Sequence, residues 1–248
     1  MSDSLIIIPT YNEKENIKKI ISKIFSLEKS FDILIVDDGS PDGTASIVKK
    51  IQKEFPEQLY IKERTKKAGL GTAYIHGFEW GLNRKYEFIF EMDADFSHNP
   101  DDLIRLYNAN INDGGDLSIG SRYVKGVNIV NWPMTRLLMS FFASKYVKLI
   151  TGMPIHDSTA GFKCYKRKVL ETIDLKKIQF VGYAFQIEMK FKTWKYGFNI
   201  IEVPVIFTDR TEGTSKMSGS IFFEAVIGVI QMKIKSFFRR WETKRCSH

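Results

Sequence analysis

A single α/β domain on a doubly wound, mostly parallel sheet is what this sequence predicts. Short unbroken apolar runs alternate with stretches of helical periodicity, and the breaks after the strands are rich in Asp, Asn, Gly and Pro. Apolar runs without alternation belong to strands covered on both faces, and strand–helix alternation closes through right-handed crossovers. The 248 residues suffice for one large core. With 44% hydrophobic and 27% charged residues, the composition excludes a disordered or fibrous chain.

Leu5-Ile6-Ile7-Ile8 opens as a buried strand, broken by Pro9-Thr10-Tyr11-Asn12-Glu13. Asn12 is expected to cap a helix in which Ile17, Ile20, Ile21, Ile24 and Phe25 share one face. Phe31 to Val36 forms the second strand and ends in Asp37-Asp38-Gly39-Ser40-Pro41-Asp42-Gly43-Thr44; an amphipathic helix runs from about Ala45 to Phe55. Leu59 to Glu63 is a third strand, and Gly69-Leu70-Gly71-Thr72 opens a helix ending near Asn83. That glycine pair lacks the rest of a dinucleotide fingerprint and reads as a tight strand-to-helix turn.

Phe88-Ile89-Phe90-Glu91-Met92 is a further buried strand, running into Asp93-Ala94-Asp95 and then the turn chemistry of Ser97, Asn99 and Pro100. In extended backbone Asp93 and Asp95 project to the same side, at the strand end where open α/β sheets place ligands. Two close carboxylates are costly without a cation, and a hard divalent ion bound to a diphosphate would supply it. An isolated D-x-D is better explained by a solvated turn, so the rest of the chain must decide.

Leu117 to Gly120 forms a strand and is followed by Ser121-Arg122-Tyr123, where a guanidinium either forks onto phosphate or makes a surface salt bridge. Arg136 to Thr151 is a helix of unusual greasiness, suited to the core or to an apolar groove at a membrane interface. Phe162 to Tyr165 is a strand, Phe185 to Tyr196 a helix, and Ile200 to Phe207 a strand whose Pro204 marks an edge. Asp209 to Gly219 has the composition of a phosphate-grasping lid or of any exposed loop. The helix from Ser220 to Trp241 passes from apolar to basic and aromatic, which fits an anionic membrane surface or, equally, plain helix packing, and fits RNA less well.

A net charge of +8 points to an anionic partner. No nucleic-acid module accompanies it, so nucleic acid is not expected. Cys164 and Cys246 form no disulfide framework or metal spacing, which suits a reducing compartment. Met1-Ser2-Asp3-Ser4 does not read as a signal peptide and no run would span a bilayer, so a cytoplasmic protein is expected. A response-regulator receiver also begins with an acid pair after a strand, but on the first strand and at half this length.

Taken in order, Pro9-Thr10-Tyr11-Asn12-Glu13, Val36 to Thr44, Met92 to His98 and Gly120-Ser121-Arg122-Tyr123 resemble glycosyltransferase family 2, and more narrowly its dolichol-phosphate (polyprenyl-phosphate) mannosyltransferases. Asn131-Trp132-Pro133 with Arg136 and Ser140, Asp157 to Phe162, Phe185 to Met189, and Arg210 through Met217 extend the resemblance over nearly the whole chain. It departs at Lys163, where the family usually has arginine, and at Phe141, where a basic residue often stands. The resemblance implies a GT-A fold over residues 1–218, with a nucleotide-sugar half to about 122 and an acceptor half beyond. Residues 219–248 would then be an amphipathic basic helix at the interface.

By the same resemblance, Pro9, Tyr11, Glu13, Val36 and Asp38 hold the nucleoside, and Asp93, Ala94 and Asp95 hold diphosphate and metal with Ser97 nearby. Arg122, Arg210 and Lys216 grip donor and acceptor phosphates, and Arg136 and Ser140 lie toward the acceptor. The activity implied is inverting transfer of mannose from GDP-mannose to dolichyl or polyprenyl phosphate, with Mg²⁺ or Mn²⁺, on the cytoplasmic face of a membrane and with room for an anchoring partner subunit. A lipid monophosphate has a second pKa of about 6 and needs no general base. Charge management by Asp95, Arg122, Arg210 and Lys216 is therefore the expected catalytic device. The rival readings are a UDP-glucose-dependent polyprenyl-phosphate glucosyltransferase and a non-catalytic scaffold of a membrane complex.

Overall fold

The computed structural model describes residues 2–209, 219–238 and 241. Its central sheet contains β1 (Ser4–Thr10), β2 (Asp32–Asp37), β3 (Leu59–Glu63), β4 (Phe88–Glu91), β5 (Leu117–Ser121), β7 (Lys163–Lys166) and β8 (Ile200–Pro204), in the order β3-β2-β1-β4-β7-β5-β8. All neighbours are parallel except β7, which runs antiparallel to both β4 and β5. The short strands β6 (Ile129–Val130) and β9 (Phe207–Thr208) pair separately. The helices are α1 (Ile17–Phe25), α2 (Thr44–Gln52), α3 (Leu70–Leu82), α4 (Asp102–Ile111), α5 (Met134–Thr151), α6 (Arg167–Thr172), α7 (Tyr183–Lys195) and α8 (Gly219–Phe237).

The unbroken strands have a simple cause. Ile6, Ile8, Ile33, Ile35, Phe88 and Phe90 enter a core with α1, α2 and α4, while Leu5, Ile7, Leu34, Val36 and Ile89 enter a second core with α3, α6 and α7. Alternate residues thus serve opposite faces, and both faces must be apolar. The chain winds outward from β1 to β3, then returns past β1 to β4. That reversal opens a crevice at the C-terminal ends of β1 and β4, the ligand position in such sheets.

Two local expectations change. Asn12 is not a helix cap: it takes a positive φ of 59° and its N–H donates to Ser40 Oγ, so α1 begins only at Ile17. The strand carrying the acid pair stops at Glu91, so Asp93 and Asp95 lie beyond it, where the chain bends from Ala94 onward, and not on the strand itself. Pro204 does end an edge strand, as its missing N–H requires.

The close seat of α3 on the sheet depends on Gly77, where an added Cβ would lie 2.6 Å from Ile7 Cγ2. Alanine in a helix interior normally gains about 1 kcal/mol over glycine. Overpacking costs about 1–3 kcal/mol, so it should win here. Gly77→Ala is expected to lower the urea midpoint, and an unchanged or higher midpoint would refute this packing.

Candidate active site

A cavity of about 460 Å³ opens beyond the ends of β4 and β5. Asp93, Asp95, Ser97, His98 and Arg122 line its polar end, and Trp132 and Arg136 stand beside them. Met139, Phe142, Ala143, Tyr146 and Val147 of α5 form an apolar wall, completed by Val226 and Val229 of α8. One space therefore joins charged groups to a greasy throat between two helices. The long apolar helix is neither purely core nor purely surface: Val147 is buried, whereas Phe142 and Leu149 are exposed.

The acid pair is fixed from behind. Ser97 N–H donates to Asp95 Oδ1 (3.0 Å) and Tyr74 OH to Asp93 Oδ1 (3.4 Å). Burial, then the Asp93 charge, holds the Tyr74 phenol far above its ordinary value, so it stays a donor. Beneath them Glu91 is wholly buried and accepts from Lys163 Nζ (2.9 Å), Tyr165 OH (3.0 Å) and Gln186 Nε2 (2.9 Å). Lys163 also donates to Gln186 Oε1. Its pKa is lowered by burial against the pull of Glu91, and the ammonium is a buried strut that is not among the cavity-lining residues.

Arg122 is no surface arginine. It is 7% exposed, and its Nε and Nη2 fork onto Asp157 at 2.7 and 2.6 Å. Nη2 also donates to Thr159 Oγ1 (2.7 Å), and the Arg122 N–H donates to Asp157 Oδ2 (3.0 Å). The loop carrying Asp157 and Thr159 is held in turn by buried Lys190, which donates to the Ser158 and Ala160 carbonyls at 2.9 and 2.5 Å. Arg136 lies 4.0 Å over the Trp132 ring and pairs with Asp209 at 2.8 Å. Ser140 accepts from Tyr123 OH at 2.9 Å.

The nucleoside candidates form a second group at the ends of β1 and β2, and the cavity wall does not include them. Asp38 is gripped by Arg64 through both oxygens (2.6 and 2.9 Å), and Arg64 Nη1 reaches Thr72. Asp37 staples its own turn, accepting from Thr10 Oγ1 and from Ser40. Tyr11 carries the Lys67 ammonium 5.0 Å over its ring, and the Glu13 N–H donates to Thr44 Oγ1. Val36 is wholly buried, so only its backbone can meet a ligand; Pro9 lies one strand over, in register with it. Ala94 is buried between the two acids. Arg210 and Lys216 lie outside the described residues.

The glycosyl transferase family 2 profile matches residues 5–174, which include the acid pair, Arg122 and Asp157. The chain is a family 2 glycosyltransferase. A polyprenol monophosphomannose synthase of Mycolicibacterium smegmatis is 47% identical over 94% of this chain and 87% of its own length. An undecaprenyl-phosphate mannosyltransferase of Micrococcus luteus is 44% identical over 97% of each. Among solved structures, a glucosyl-3-phosphoglycerate synthase of Mycobacterium tuberculosis bound to UDP superposes with a TM-score of 0.68 at 14% identity, over 93% of this chain and 79% of that one. A mannosyltransferase of Pyrobaculum calidifontis bound to GDP-Man and Mn²⁺ superposes with 0.57 at 15%, over 95% and 74%. These likenesses establish the GT-A fold.

The glycosyltransferase also uses residues that sequence reasoning left without roles. Asp157, Thr159 and Gln186 stood only within matched motifs, yet the first two orient Arg122 and the third lines the cavity. Lys190 and Arg64 gave no sequence signal, because a buried lysine or arginine reads like a solvated one until its partners are placed. Among the described residues no helix is long and apolar enough to cross a membrane.

Proposed function

We propose that this glycosyltransferase moves mannose from GDP-mannose to a polyprenyl monophosphate, with inversion, at a membrane surface. The observation that carries the reading is the continuity of the cavity. An acid pair and two guanidinium groups occupy one end, and the apolar faces of α5 and α8 line the other. A sugar or soluble phosphate acceptor has no use for the apolar half; a lipid phosphate uses both. The names of the two bacterial relatives, which describe mannosyl transfer to polyprenyl phosphates, agree with it.

Asp93 and Asp95 fit a hard divalent cation. Both line the cavity, their donors are carboxylate oxygens, and no third His, Cys, Asp or Glu joins them among the described residues. Mg²⁺ and Mn²⁺ sites of this kind leave positions for the phosphates of a substrate. Such an ion would neutralise the diphosphate as it leaves. Ser97, which lines the same end, would add an oxygen.

The remaining work falls to the chain's own groups. Arg122, locked by Asp157 and Thr159, offers a preorganised guanidinium at the polar end, and Arg136 offers the acceptor phosphate a second. Ser140 marks the same side, and Arg210 and Lys216 are assigned to the phosphates with them. Pro9, Tyr11, Glu13, Val36 and Asp38 hold the nucleoside, Val36 through its backbone. Among the described residues that line the cavity, Gln186 is an amide, the two acids are committed to the cation, and burial holds the His98 imidazole well below its ordinary value, which leaves no effective general base. An acceptor already ionised at neutral pH makes that unproblematic. The exposed Leu138, Phe142, Leu149, Ile230, Ile234 and Phe237, flanked by Lys145, Lys148 and Lys233, form the face that meets an anionic bilayer.

Incubation with radiolabelled GDP-mannose, Mn²⁺ and undecaprenyl phosphate, followed by organic extraction, should carry the label into the organic phase. Excess UDP-glucose should not displace it. Label that stays in the aqueous phase with every polyprenyl phosphate tried would overturn the reading.

A further inference from the structure

His98 is the best-buried polar group on the cavity wall that has nothing to hold. Its ring lies flat on Phe162 (centroids 4.9 Å apart, 14° between planes) and edge-on to Phe207 (5.4 Å, 81°). Packing alone fixes its plane. It is only 5% exposed, its Nδ1 is sealed, and no group among the described residues partners that nitrogen. Trp132, which also packs edge-on to Phe207 and lines the same cavity, has an Nε1 that is likewise without a partner among the described residues. Buried polar atoms are nearly always satisfied, so an imidazole kept at a ligand cavity at the cost of an unpartnered Nδ1 is accounted for by what its other nitrogen, Nε2, meets there.

An apolar ring would fill the space between Phe162 and Phe207 without leaving Nδ1 buried and unpartnered. A purely structural histidine is therefore the costlier choice at this position. The setting shows what the ring would meet. His98 lines the polar end with Asp95 and Arg122, and these two are the first charges to act on it. Orphaned buried N–H groups are rarer than orphaned acceptors, which assigns the bare lone pair to sealed Nδ1 and the proton to Nε2.

We propose that His98 contacts the reactants directly, donating from Nε2 to a phosphate oxygen held at the polar end of the cavity. The oxygen belongs either to the donor's diphosphate or to the acceptor's monophosphate. The contact adds a neutral donor to Arg122 and Arg136, where a further cation would be costly to bury. It rests on the transfer reading above, in that both anions come from that reaction.

Two isosteric substitutions locate the proton. Glutamine carries its amide nitrogen near the position of Nε2, whereas asparagine carries it near Nδ1. His98→Phe keeps the aromatic packing and removes both nitrogens. His98→Phe and His98→Asn should weaken either GDP binding in the presence of Mn²⁺, read by calorimetry, or the KM for undecaprenyl phosphate, by about 10- to 100-fold, the range for a hydrogen bond to a charged group. His98→Gln should recover most of the loss. Weaker GDP binding assigns the oxygen to the donor, and a raised acceptor KM alone assigns it to the lipid. Wild-type values of both in folded His98→Phe, or equal losses in the Gln and Asn variants, would overturn the proposal. Wild-type protein without transfer activity would instead sink the functional reading, and the calorimetric arm would still report on His98.

Discussion

Asp95→Asn is expected to lose transfer by about 10³-fold, through loss of one of the two charges proposed to hold the cation and without loss of the fold. Asparagine keeps an oxygen where the Ser97 N–H donates to Asp95 Oδ1, so the turn after β4 should stand. What disappears is half of the negative pair. In metal-free buffer the variant's melting temperature should therefore match or exceed that of the wild type, because repulsion between Asp93 and Asp95 is relieved. With Mn²⁺ and GDP the order reverses: the wild type gains stability by mass action and the variant gains little. Structural damage would lower both melting temperatures alike, so the pair of curves separates the explanations. Chelation of the wild type should remove activity to a similar degree. Full transfer by Asp95→Asn in excess chelator would exclude the cation from the chemistry.

The sheet was legible because apolar runs and acid-rich breaks each have one dominant physical cause. Leu5 to Ile8 had to be covered on both sides, and Asp93 and Asp95 had to lie at a strand end. The reason first given for their shared direction does not hold, since the strand stops at Glu91. They converge on one cavity all the same, because the turn after it is pinned by Ser97 and Tyr74. The antiparallel insertion of β7 between β4 and β5 was not legible, since Phe162 to Tyr165 looks alike in either direction. Nor was the start of α1, where a hydrogen bond to Ser40 from another loop draws Asn12 out of the helix.

Site chemistry divided along a similar line. The acids and Arg122 were visible as motifs, whereas their supports were not. Lys163 could be noticed only as a departure from a pattern; its reason is the buried carboxylate of Glu91, its register partner across the sheet. Local sequence records which group must face a ligand. The partner that holds it is brought in from a distant strand or helix, and no periodicity predicts that.

Asp157→Ala should be strongly destabilising, costing about 3–5 kcal/mol. For a chain of this size that corresponds to a fall of roughly 10 °C in melting temperature. A buried ion pair as a whole contributes little, since desolvation offsets attraction; removing one partner is different. The Arg122 side chain is 9% exposed and that of Asp157 is fully buried, so truncation strands a guanidinium in low dielectric. It also removes the acceptor of the Arg122 N–H and lets the loop above Lys190 drift.

The pH dependence of that loss is fixed in sign. Burial alone would raise the Asp157 carboxyl, but attraction and hydrogen bonds from Arg122, with help from Lys190, outweigh it and hold the group below its ordinary 3.8. A depressed carboxylate contributes stability above its unfolded value, and that contribution fades as pH falls through the folded one. Urea midpoints of wild type and Asp157→Ala should therefore stay apart from neutral pH down to about 4, then converge as the native carboxyl protonates. A gap that widened on acidification, or none at neutral pH, would mean that Asp157 is not the ionised partner of Arg122. The same variant should be defective in transfer even where it remains folded, because Arg122 would no longer hold the orientation in which it is proposed to meet the reactants.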